Sequence, residues 1–162
     1  MSEKEKNLTE IFNKIVIFLK DLNPPAIHEY RDKNKIVIPF EYVFSNNERI
    51  TLNVDARINE KWILIKCLLM LAKNLPPVVN LEPILHRKLL QANFEFAEVT
   101  YSLDEYGNIF VEVDMPHETD FVNFKSEFVS IVFGIEQFFK KIIPSISDQI
   151  KRENTYKKSI YT

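Results

Sequence analysis

From Leu8 to Leu22 the apolar residues Leu8, Ile11, Phe12, Ile15, Phe18, Leu19 and Leu22 fall on one stripe at helical spacing. Asn7 with Glu10 three positions on reads as a capping pair for this first helix. Pro24 and Pro25 must end it, because the ring removes a donor and pushes the preceding residue out of the helical region. From Lys35 the period changes to two. Ile36, Ile38, Phe40, Tyr42 and Phe44 share one face of a strand, Ser45-Asn46-Asn47 turns the chain, and Ile50, Leu52, Val54, Ala56 and Ile58 then alternate with polar residues. Pro39 cannot donate to a ladder, which places the first strand at a sheet edge or gives it a neighbour on one side only at that point.

The run Lys61 to Ala72 is almost continuously apolar, and such a run suits a buried strand or a buried helix. The short Asn59-Glu60 link and the β-branched, aromatic front half favour a strand returning as a hairpin. Asn80 is placed to cap a helix from Leu81 to Ala92. A hairpin follows: Ala97, Val99, Tyr101 and Leu103 alternate with polar residues, Gly107 supplies the positive backbone angle of a tight turn, and Ile109, Val111, Val113 and Met115 alternate with Phe110, Glu112 and Asp114. The last helix is expected from Thr119 or Asp120 to Ile143, stopped by Pro144. Its broad stripe, from Phe121 through Phe124, Phe128, Ile131 and Ile135 to Ile142, is wide enough to cover a sheet. The expectation is an α+β fold: a five-stranded antiparallel sheet with helices packed on it, in the order α, βββ, α, ββ, α. Residues 1–143 form one domain on this reading, and 144–162 a polar tail, partly helical or disordered.

Length and charge narrow the function classes. At 162 residues and 46% apolar composition, one domain buries a sizeable core without disulfide or metal support. The net charge of -2 gives no general attraction to nucleic acid, leaving only the basic tail with Lys151, Arg152, Lys157 and Lys158 as a weak exception. The charged N-terminus lacks an apolar signal core, and the apolar run is too short to span a bilayer, so a cytoplasmic protein without membrane contact is expected. Cys67, the one cysteine, reads as a small buried hydrophobe.

The order of elements, with Trp62 near the start of the apolar strand, Leu89, Leu90 and Asn93 near the end of the second helix, Tyr101 to Gly107 in the hairpin and Met115-Pro116 closing it, resembles the YbjN and type III secretion chaperone-like superfamily. The resemblance spans residues 8–143. It implies a compact α/β fold, frequent homodimers and, for the secretion chaperones, binding of partly unfolded client segments. It implies no catalytic residues and no cofactor.

Three sets of residues are candidates for function. Val122, Val129 and Phe133 form a thinner stripe about 100° round the last helix from the broad one, and suit a homodimer interface. Phe96, Glu98, Phe110, Glu112 and Asp114 are expected on one hairpin face, where aromatics beside acids suit a segment of a partner protein. No lysine or arginine occurs between Leu89 and Pro116. Asp114, His117, Glu118 and Asp120 are the densest potential metal ligands, but helix-start acids explain them more simply, and no metal is assigned. The opposing class, a small-ligand or metal-dependent enzyme, requires a site near residues 114–120. The expected function is non-enzymatic: a homodimeric module that holds a partner protein segment.

Overall fold

A computed structural model describes residues 3–77, 81–96 and 98–148. Helix α1 (Glu3–Asp21) leads into six strands and two further helices. The strands are β1 (His28–Tyr30), β2 (Lys35–Val43), β3 (Arg49–Ile58), β4 (Trp62–Met70), β5 (Thr100–Leu103) and β6 (Ile109–Pro116). Helix α2 (Leu81–Glu95) separates β4 from β5, and α3 (Phe121–Gln137) closes the order. All neighbouring strands run antiparallel, in the order β1-β2-β3-β4-β6-β5.

The α+β architecture expected from the sequence is present, but the sheet has six strands where five were expected. The extra strand, β1, pairs His28, Glu29 and Tyr30 with Val37, Ile36 and Lys35. All three of its residues are exposed, so it leaves no alternation of burial to detect and is held by backbone pairing alone. Because β1 ends opposite Val37, β2 at Pro39 has only Asn53 of β3 beside it, as a residue without a donor requires. The ambiguous apolar run is a strand, with Ile63, Ile65, Cys67 and Leu69 buried and the residues between them turned to the other face.

Helices cover one face of the sheet. Ile36, Val54, Ile65, Val111 and Ile109 lie under Ile15 and Leu19 of α1 and Phe124, Ile131, Ile135 and Phe138 at the C-terminal end of the chain, all within one core. Phe18 of α1 meets Phe121 and Phe124 of α3, with ring centroids 5.5 and 5.4 Å away. The opposite face is open and mixed, carrying Trp62, Leu64 and Leu68 of β4 beside charged residues, with Lys35 paired to Asp55 at 2.6 Å and the Lys66 ammonium 4.7 Å from the centre of the Phe110 ring.

Two sequence expectations change at the helix ends. Asn7 lies inside α1, which starts at Glu3, so Asn7 and Glu10 do not cap it. Asn80 lies outside the described residues. The last helix does not stop at Ile143: a π-helical turn at Phe138–Ile142 leads into α-helical residues 143–148, which include Pro144. The Ile143 amide donates to the Phe138 carbonyl five residues back. A proline ring offers no donor and crowds the carbonyl four residues upstream, and the widened turn lies immediately before it. Ile146 is buried in the core, so the first residues past position 143 belong to the packed structure.

Candidate functional site

The N-terminal cap of α3 fixes the start of the site. Asp120 has extended backbone angles and accepts the Asn123 amide at 2.8 Å, satisfying one of the free donors of the first turn. The broad stripe of α3 then faces the sheet, and Gly134 sets how closely it approaches. A methyl group there would stand 2.6 Å from Val111 and 2.7 Å from Val99, well inside contact distance. The Gly134 carbonyl accepts a hydrogen bond of 2.8 Å from the buried Tyr101 hydroxyl. Burial raises the pKa of that phenol well above its ordinary value and keeps it a donor.

With α3 held there, Val122, Val129 and Phe133 face away from the core and are 74%, 52% and 41% exposed. Helix α1 packs on the other side of α3, against Phe121 and Phe124, and leaves the thinner stripe open. These residues form one wall of a groove of about 680 Å³, whose opposite wall is Glu95, Phe96, Glu98 and Val99 from the link between α2 and β5. Phe96 and Phe133 meet edge to face, 5.5 Å between ring centroids. The Ser130 hydroxyl lies 3.1 Å from Glu98 Oε2 and 3.0 Å from the Ser126 carbonyl, and its single proton serves one at a time.

The two candidate sets from the sequence are therefore partitioned differently. The expected single hairpin face comprising Phe96, Glu98, Phe110, Glu112 and Asp114 does not exist, because β5 begins at Thr100 and the residues before it turn off the strand. Phe96 closes the end of α2, its amide bonded to the Ala92 carbonyl at 2.8 Å, and joins Glu98 in the groove with Val122, Val129 and Phe133. Phe110 and Glu112 stay on the open face of the sheet, opposite Leu68 and Lys66 of β4. Asp114 follows them past the end of β5 and lines a separate hollow of about 400 Å³ with Glu118, Asp120, Asn123 and Glu127.

Carboxylates of the groove and of the hollow interact electrostatically. Burial and the charges of Glu98 and Asp114 raise the pKa of Glu127 above its ordinary value. None of these three acids forms an ion pair among the described residues. Residues 114–116 end β6 and the chain turns after them: His117 Nδ1 sits 3.4 Å from the Lys61 carbonyl, and Lys14 donates to the His117 carbonyl at 2.7 Å. Asp120 is engaged as the cap, and no three His, Cys, Asp or Glu side chains among the described residues are placed to hold a metal. Cys67 is buried, its thiol pushed up to about 12 by burial and then by Asp55, which leaves it a poor nucleophile.

Two further features were missed in the sequence. Asn93 brackets the outer edge of β5, accepting the Tyr101 amide at 2.6 Å and donating to the Tyr101 carbonyl at 2.9 Å. This occupies the backbone groups that an added strand would need at that point. Beside it, Leu90 and Phe94 of α2 are 70% and 92% exposed, the largest outward apolar step on that helix. Their i, i+4 spacing was the available signal.

No family model matches this sequence, and no curated protein does. Solved structures do match. A chain in the crystal structure of the ExsC-ExsE complex superimposes with a TM-score of 0.53 at 10% identity, over 88% of this chain and 97% of that one. The two chains share a fold. A chain in the HopA1-SchA chaperone-effector complex matches with a TM-score of 0.50 at 16% identity, covering 79% of this chain and 93% of its own. At these identities the likeness is one of fold. Among the described residues no helix is long and apolar enough to cross a membrane.

Proposed function

We propose that this chain is a non-enzymatic, chaperone-like module of the cytoplasm that holds a segment of a partner protein in the groove between α3 and the α2–β5 link. The observation that carries this reading is the open wall of Val122, Val129 and Phe133: a chaperone-type fold that leaves large apolar groups uncovered beside a trough of about 680 Å³. The matched solved structures, one of them a chaperone-effector complex by name, support a protein as the occupant. The same module works as a homodimer, and Leu90 and Phe94 on α2 are its contact, since Asn93 obstructs pairing at the β5 edge.

The groove and the dimer separate experimentally. Affinity capture from native lysate with wild type and Phe133→Glu in parallel should recover one stoichiometric partner with the first and lose it with the second. Light scattering should give a dimer for wild type and for Phe133→Glu, and a monomer for Phe94→Glu. A partner retained by Phe133→Glu rules out the groove, and a wild-type monomer at micromolar concentration rules out the dimer.

A further inference from the structure

The groove is apolar along its length and negatively charged at one end. Phe96, Val99, Val129 and Phe133 line its middle, and Glu98 reaches it from the α2–β5 link. Glu127 and Asp114 line the adjoining hollow between α3 and the end of β6. Two ammonium groups lie near this surface: Lys125 in the groove lining, and Lys141, 6.0 Å from the centre of the Phe96 ring. Against them stand six carboxylates, those three with Glu95, Glu118 and Asp120, so the surface as a whole carries an excess of negative charge.

We propose that the occupant of the groove is an apolar segment of a partner protein carrying a lysine or arginine, whose cation seats between Glu98, Asp114 and Glu127 while its apolar side chains fill the space between Phe96, Val129 and Phe133. This rests on the partner-binding reading above and specifies its chemistry. Glu127 is half-buried beside the charges of Glu98 and Asp114, and a partner's cation placed there offsets that repulsion. Burial raises the proton affinity of Glu127, and the neighbouring charges of Glu98 and Asp114 add to it. A guanidinium or ammonium placed there forms charge-assisted hydrogen bonds to carboxylates that make no ion pair among the described residues. Apolar contact supplies most of the affinity on this account, and the acids choose the partner and its direction in the groove.

Short random peptides displayed against the full-length chain test this, with Phe133→Glu and Val129→Glu as counter-selection and circular dichroism to confirm that both variants fold. Enrichment of apolar clusters next to Lys or Arg is expected. Replacing that basic residue by Glu should weaken binding by about tenfold or more, and Glu98→Gln with Glu127→Gln should remove most of the preference. Peptides that need Phe133 but show no basic preference overturn this inference and leave the groove reading standing. Peptides indifferent to both counter-selecting variants, or no enrichment at all, overturn both. Enrichment that appears only after residues 149–162 are deleted would assign the cation to this chain's own Lys151, Arg152, Lys157 or Lys158 and overturn the partner. Loss of the wild-type dimer in Phe133→Glu would give the groove to a second copy instead.

Discussion

Replacing Gly134 by alanine sets two effects of known sign against each other. In an exposed helix the change would stabilise the protein by about 1 kcal/mol, because glycine loses more conformational freedom on folding. Here the added methyl would stand 2.6 Å from a Val111 methyl and 2.7 Å from one of Val99, both side chains of the sheet and its approach and both buried. Neither can swing away as the tip of a long side chain would, so α3 must back off or the valines must leave their preferred rotamers, at a cost of about 1–3 kcal/mol. If α3 retreats, the Tyr101 hydroxyl loses the Gly134 carbonyl and remains buried, a further loss of about 1 kcal/mol or more. The balance is a net destabilisation of about 1–3 kcal/mol, or roughly 2–12 °C in Tm for a domain of this size. Urea titration followed by circular dichroism measures it. Combining Gly134→Ala with Val99→Ala makes room on one side, and the pair should couple favourably by at least about 0.5 kcal/mol. A Gly134→Ala variant as stable as wild type, or additive losses in the double variant, would refute the close-approach argument.

Three other outcomes follow from the same structure. Glu127 has a raised pKa in the fold, so its charge costs stability as pH climbs from the ordinary carboxylate value of 4.5 through the raised one, and costs nothing below it. Glu127→Gln should therefore melt higher than wild type at neutral pH, with the advantage gone in acid; a pH-independent difference in thermal melts would contradict the cause given. Cys67, with its thiol pushed up to about 12, should resist iodoacetamide in the folded protein and alkylate on unfolding, as mass spectrometry would show. Asp120→Ala should cost about 1 kcal/mol by urea midpoint, while Asp120→Asn, which caps as well, should cost little; equal losses would mean that charge at the helix start matters more than the cap.

The strands and helices that bury a regular face were legible in the sequence because burial imposes a period. Ile36 to Phe44, Leu52 to Ile58 and Ile109 to Met115 all keep alternate residues toward the core. Strand β1 was not legible, since its three exposed residues are specified by the partner strand and not by their own pattern. The continuation past Pro144 was hidden for a different reason: a π-helical turn depends on hydrogen bonding that a proline rule does not anticipate. For the site, the stripe of Val122, Val129 and Phe133 was visible from helical spacing. Its pairing with Phe96 and Glu98 was not, because it depends on where the chain leaves α2, and the apolar-polar alternation of the sequence continues upstream of Thr100, where β5 begins. Asn93 sat in plain view as part of the resemblance, yet only its bonds to Tyr101 show that it shields a strand edge.

Among the described residues, every one that lines the groove falls between Glu95 and Phe133, a stretch of 39 in a chain of 162. Helix α1 and strands β1 to β4 support that stretch from behind and contribute nothing to its lining. Binding preference in this protein is therefore a cassette property: one contiguous segment can be exchanged or diversified as a unit, and selection on what is bound need not touch the half of the chain that builds most of the sheet.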